Sequence, residues 1–164
     1  MIEKIHSRTL VAFMLLLTFS VTPAFAQDGM KLQVAKNSSN SEPIELSIEA
    51  LDLLEQKKFS TKTIWTDGIT TFSGVPLKVL LNHFDANGET VEMVALNDYA
   101  VTMPFADLED DAPIVATRMN GELMSVRDKG PFWVVYPYDL DARYQNETVY
   151  SRSIWQLNRL KVMD

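Results

Sequence analysis

The chain has 164 residues, with 22 acidic side chains against 15 basic ones for a net charge of −7, two histidines and no cysteine. The acidic excess argues against nucleic acid and anionic membrane surfaces as partners. The missing thiol excludes a cysteine nucleophile, a thiolate metal ligand, a covalent haem and any disulfide, so packing alone must hold the fold.

In chain order, Lys4 and Arg8 precede an apolar run from Leu10 to Phe19, and Ala24-Phe25-Ala26 follows with small-x-small spacing. This predicts a secretory signal peptide over residues 1–26, cleaved after Ala26. The run is shorter than the roughly 20 residues of a membrane span, and no later segment approaches that length, so no membrane insertion is expected after cleavage. His6 leaves with the leader and His83 remains, which rules out multi-histidine metal sites. Residues 27–42 are polar and carry the run Asn37-Ser38-Ser39-Asn40-Ser41, which reads as a flexible lead-in to a domain over 43–164.

Ser47 suits the cap of a short helix carrying Ile48, Leu51 and Leu54 and ending near Lys57-Lys58. Phe59, Thr61, Thr63 and Trp65 alternate as in a strand running to Asp67, with a loop over Gly68–Gly74. Pro76 suits the first turn of a second helix with Leu77, Leu80, Leu81 and Phe84. At its end His83 has an exposed or capping role. Asp85-Ala86-Asn87-Gly88-Glu89 makes a turn rather than a calcium loop, whose ligand pattern does not continue. Strands are expected over Val91–Leu96 and Tyr99–Met103, broken by Asn97-Asp98. An acidic cluster, Leu108–Asp111, reads as solvated surface, and no metal site is assigned.

Ile114 to Tyr138 is the stretch around which the chain is organised. Two apolar strand-like ends enclose Arg118, the turn former Asn120-Gly121, Arg127 and the second turn Lys129-Gly130-Pro131. Trp133, in the most apolar run, is assigned to the core. Asp139–Thr148 is a long polar loop with Tyr138, Tyr144 and Tyr150 in and around it, which suggests a binding rim. A final strand is expected to open at Ser151-Arg152-Ser153-Ile154-Trp155-Gln156-Leu157 and to run through Leu160 and Val162.

The order of Phe72-Ser73-Gly74-Val75-Pro76-Leu77, Asn97-Asp98-Tyr99, Asn120-Gly121-Glu122, Gly130-Pro131 with Trp133-Val134-Val135-Tyr136-Pro137, and a terminal Trp-bearing segment resembles the molybdopterin-binding domain of the sulfite oxidase family over nearly all of residues 43–163. The resemblance implies a single α+β domain of mixed β-sheet and short helices. In that family a cysteine after the early strand binds molybdenum, and Thr61–Thr66 in the corresponding region offers none. More narrowly, Asn97-Asp98-Tyr99, Arg118, Arg127-Asp128-Lys129-Gly130-Pro131 and Trp155-Gln156-Leu157 look like the small periplasmic members that bind reduced pterins. Those members regulate a membrane-bound cyclic-di-GMP enzyme through its periplasmic domain. What this implies is a periplasmic, non-catalytic protein whose ligand is a reduced pterin without molybdenum and whose partner is the periplasmic domain of an inner-membrane signalling protein. The alternative is a molybdopterin-dependent oxidoreductase, or subunit of one, with an atypical metal ligand.

A pterin presents a flat face and an edge of alternating donors and acceptors. The residues expected to meet it are Asp98 as carboxylate, Arg118 and Arg152 as donors, Trp155 or Tyr99 as the stacking surface, and Asn97, Ser151 and Ser153 as polar contacts. Each has a structural alternative: Trp155 as core of an alternating strand, Asp98 as cap of the turn before Tyr99, Arg152 as partner of Glu147, and Arg118 as partner of a surface carboxylate.

Overall fold

A computed structural model describes residues 29–36 and 42–164. The expected signal peptide and the Asn37–Ser41 run lie outside the described residues. The lead-in reading fails at its centre, because β1 (Leu32–Ala35) is a strand inside a sheet. Leu32 and Val34 alternate into the core with no exposed surface, and β1 lies parallel to the last strand of the chain. That alternation of two apolar residues is too short to stand out in a polar stretch.

After β2 (Ile44–Leu46), Ser47 accepts a hydrogen bond from the Ala50 amide at 3.3 Å and caps α1 (Ile48–Asp52). The helix stops five residues before Lys57, earlier than expected. Gln56 turns back to donate its amide to the carbonyls of Leu51 at 2.8 Å and Leu54 at 3.1 Å, which satisfies the orphan acceptors of the helix end. Lys57 opens β3 (Lys57–Lys62), which pairs antiparallel with β4 (Ile69–Pro76) from Lys57↔Gly74 to Lys62↔Ile69. The expected strand to Asp67 and loop over Gly68–Gly74 are therefore both displaced. Residues 63–68 form the turn instead, closed by Thr63 and Thr66 hydroxyls 2.9 Å apart, by the Trp65 amide on Thr63 Oγ1 at 3.0 Å, and by Gly68 at φ +67°.

Pro76 sits just before α2 (Leu77–His83), with His83 exposed at its end. Then come β5 (Thr90–Ala95), β6 (Ala100–Pro104), β7 (Ile114–Met119), β8 (Glu122–Leu123), β9 (Trp133–Val135), α3 (Glu147–Arg152) and β10 (Leu157–Met163). The last strand begins six residues later than expected. Asn146 accepts the Val149 amide at 3.0 Å and starts a helix that takes in Ser151 and Arg152, leaving Ser153–Gln156 as its connection to β10.

Two sheets result, one ordered β2-β1-β10-β5-β6 and one ordered β3-β4-β7-β8, with β9 paired to the first half of β7. The β1–β10 pairing is parallel and the others are antiparallel, so the first sheet is mixed. One core joins inward residues of both: Leu32, Val34, Met93 and Leu160 from the first, Phe72, Val115, Trp133 and Val135 from the second. The architecture is α+β with short helices. Among the described residues no helix is long and apolar enough to cross a membrane.

Gly74 shows how closely the second sheet is packed. It lies at a register shift between β4 and β7, where a Cβ would run into the carbonyl oxygen of Val115 and the Cα of Ala116. Neither backbone atom can step aside as a side chain would. Gly74→Ala is therefore expected to lower stability by about 3 kcal/mol, at the upper end for overpacking, seen as a fall in the urea midpoint at unchanged slope. Gly68→Ala, whose Cβ meets nothing within 4 Å, should cost less.

Candidate functional site

Three connections meet where the two sheets come together. The β3–β4 turn brings Trp65, the β5–β6 turn brings Asn97 and Tyr99, and α3 with its connection to β10 brings Tyr150, Ser151, Ser153, Ile154 and Trp155. With Ala95 they enclose a cavity of about 300 Å³. This is the lower end of the 300 to about 1,000 Å³ usual for ligand sites, suited to a single small heterocycle.

Aromatic rings define its shape. Trp65 meets Trp155 edge to face with centroids 5.8 Å apart, and Tyr150 at 5.9 Å with planes at 90°. The same indole meets the buried rings of Trp133 at 6.0 Å and Tyr138 at 6.2 Å, which tie it to the core. Trp155 and Tyr99 are 40% and 51% exposed, so both present ring surface to an incoming molecule.

The polar groups are few and neutral. Asn97 Oδ1 accepts the Tyr99 amide at 3.2 Å, which holds the turn and leaves the side-chain NH₂ to donate. Ser151 Oγ donates to the Thr148 carbonyl at 2.8 Å. Ser153 is buried. Its hydroxyl accepts from Tyr138 Oη at 2.6 Å and donates to the Val149 carbonyl at 2.8 Å, so it has one lone pair left. Among the described residues no thiolate, carboxylate, imidazole or cation lines this cavity.

Five of the eight expected site residues therefore share one cavity: Asn97, Tyr99, Ser151, Ser153 and Trp155. Three do not line it. Arg118, on β7, reaches α1 and grips Asp52 with both terminal nitrogens at 2.6 and 2.7 Å. That hydrogen-bonded carboxylate raises the affinity of the guanidinium for its proton. Arg152 pairs with Asp107 at 2.9 Å, in a separate cleft beside Tyr136, rather than with Glu147. Asp98 is exposed at φ +62°, its amide donating to the Ala95 carbonyl at 3.0 Å. It serves as the corner of the β5–β6 turn through its backbone, and the cap before Tyr99 given as its structural alternative is made by Asn97 instead.

Trp65 and Tyr150 complete the cavity and were not among the expected site residues. Trp65 lies in the 61–66 segment singled out for its missing cysteine, and Tyr150 is one of the tyrosines of the expected rim. Trp133 is in the core, fully buried, its Nε1 donating to the Ser153 carbonyl at 3.1 Å.

No family model and no curated protein sequence matches the chain. Among solved structures it superposes on the sulfane dehydrogenase SoxCD from Paracoccus pantotrophus with a TM-score of 0.59 and 18% identity, over 82% of this chain. What the two share is a fold. The match takes in 38% of the length of that chain. The sulfite oxidase-like α+β architecture expected from the order of motifs is thus the architecture observed, and the likeness is one of fold.

Burial pushes the Tyr138 phenol up from 10 to about 12, the hydrogen bond to Ser153 opposing part of that rise. The folded protein thus holds this proton more tightly than the unfolded chain. The stability that follows is intact below pH 10 and is lost as the pH rises toward 12. Between these values stability is expected to fall in step with pH, read by unfolding midpoints, and the fall should be shallower in Tyr138→Phe.

Proposed function

We propose that the chain is an exported pterin-binding module, and the aromatic, uncharged cavity around Trp65 is the observation that carries this reading. A flat bicyclic ring finds the exposed faces of Trp155 and Tyr99 and the edges of Trp65 and Tyr150. Stacked and edge-to-face contacts of this kind contribute roughly 0.5–1.5 kcal/mol each beyond area burial. The free NH₂ of Asn97 can donate to an acceptor on the pyrimidine edge, a different part from the accepting carboxylate expected of Asp98.

The same walls do not fit a protein-bound molybdenum. The segment that would carry the thiolate ligand contributes an indole, and among the described residues no group of three metal-binding side chains is gathered. The pterin is accordingly proposed without the metal. The oxidoreductase alternative draws on the shared fold with a sulfane dehydrogenase, and it would need a ligand that this cavity wall does not supply. Metal analysis separates the two, since one molybdenum per chain would favour the enzyme.

In the signalling role, occupancy is reported to a membrane partner, the periplasmic domain of a cyclic-di-GMP enzyme implied by the resemblance. For that the ligand must favour the partner-competent form over the other. α3 suits such a task, because Tyr150 and Ser151 face the cavity while Arg152 holds Asp107 at the far side.

Calorimetry of the mature protein with a tetrahydropterin is expected to show one site per chain, with Trp155→Ala weakening binding about tenfold, at the upper end of a lost stack. Arg118→Gln should leave affinity unchanged while lowering stability by about 1 kcal/mol, the scale of a partly exposed ion pair. Absence of heat with any tetrahydropterin, together with no pterin in the native protein by mass spectrometry, would end this reading.

A further inference from the structure

Two asparagines of the chain precede a glycine, in Asn87-Gly88 and Asn120-Gly121. Asparagine is chemically heat-labile, and a following glycine, having no Cβ, leaves its own amide nitrogen open to reach back to the asparagine side chain. The fold treats the two pairs differently. We propose that Asn87 is a modification site of the folded protein, converted spontaneously to aspartate and isoaspartate through a cyclic imide with Gly88, whereas Asn120 is protected. The inference is independent of what the aromatic cavity binds.

Asn120 is pinned. Its Oδ1 accepts the Thr71 amide at 3.0 Å, and its own amide donates to the Thr71 carbonyl at 2.7 Å. The Met119↔Glu122 pair closes the hairpin around it, with Asn120 at φ +54° and Gly121 at φ +89°. For an imide to form, the side-chain carbonyl must swing onto the Gly121 nitrogen, and that motion breaks the bond from Thr71.

Asn87 carries no such restraint. It is exposed in the connection between α2 and β5, and its side chain makes no hydrogen bond among the described residues. The amide of Gly88, which supplies the attacking nitrogen, makes none there either. The chain on both sides is fixed. The buried Ala86 donates its amide to the Leu81 carbonyl at 2.9 Å, and Glu89 donates its amide to the Met163 carbonyl at 2.9 Å.

The conversion consumes only water. The Gly88 nitrogen gives up its proton and bonds to Cγ of Asn87, the Cγ–Nδ2 bond breaks, and Nδ2 leaves as ammonia with that proton. Water then opens the imide at one of its two carbonyls. Opening at Cγ gives aspartate, and opening at the main-chain carbonyl gives isoaspartate, whose backbone is longer by a methylene. Either product adds a negative charge.

There is little room for that extra length. Gly88 packs on the end of β10, where even a Cβ would run into Val162 Cγ1 and the Met163 carbonyl oxygen. A longer link between Ala86 and Glu89 therefore pushes Glu89 off Met163 and loosens the Thr90↔Met163 end of the β5–β10 pair. Ala95, at the other end of β5, lines the aromatic cavity, so the length of the strand separates the modification from that site.

The test ages the mature protein warm in mildly alkaline buffer and follows the Asn87 and Asn120 peptides by mass spectrometry, with isoaspartate read by enzymatic methylation. Conversion at Asn87 should outrun that at Asn120 by about tenfold, the scale of the one hydrogen bond that Asn120 must break. In guanidinium chloride, where that bond is gone, the two rates should converge. The thermal midpoint should fall by about 4 °C as isoaspartate accumulates, the scale of one weakened backbone bond in a domain of this size, while Asn87→Gln aged alongside keeps its midpoint. No conversion at Asn87, equal rates in the folded protein, or an Asn87 lead that persists in guanidinium chloride would overturn the proposal. A midpoint that stays put in fully converted protein would overturn the packing consequence drawn for Gly88.

Discussion

The position of one indole governs the site. Trp65 sits at the tip of the β3–β4 hairpin, where a threonine pair and Gly68 fold the turn back. There it meets four other rings edge to face: two buried in the core and two lining the cavity. Edge-to-face contacts set orientation as well as proximity, because the positive rim of one ring seeks the negative face of the next. The cavity walls are thereby locked to the core of the second sheet. Removing this ring would open the cavity and unseat the hairpin tip in the same stroke.

Charge is kept out of that cavity. The two arginines expected to meet a heterocycle are turned to Asp52 and Asp107, and the buried phenol of Tyr138 keeps its proton into alkaline solution because burial disfavours the phenolate. What remains is a neutral aromatic chamber with a few hydrogen-bonding groups.

The sequence was most legible where residues act locally. Asn97-Asp98 marked a turn, Ser47 a cap and Pro76 a helix entry, and each works through neighbours within a few positions. Because turns of this fold collect where the sheets meet, naming the turns around Asn97 and Ser151–Trp155 also named most of the cavity. The order of motifs indicated the α+β fold for the same reason. Contacts made across the chain were not legible. Nothing near Arg118 shows that Asp52, 66 positions away, will claim it, and nothing near Arg152 favours Asp107 over the closer Glu147. The strand at Leu32–Ala35 was hidden because its partner is β10, at the other end of the chain. Ser151 and Arg152, the end of α3, were read as strand because Ile154, Leu157, Leu160 and Val162 carried the apolar pattern backward, and the start of the helix was read as polar loop.

The central claim is that the chamber around Trp65 holds a flat heterocycle by its faces and edges. A crystal structure of the mature protein grown with a tetrahydropterin tests it most directly. The account predicts the bicycle between Trp65, Tyr99, Tyr150 and Trp155 with its pyrimidine edge toward Asn97. A ring found instead in the Arg152–Asp107 cleft, or no ring in the chamber at saturating concentration, would contradict it.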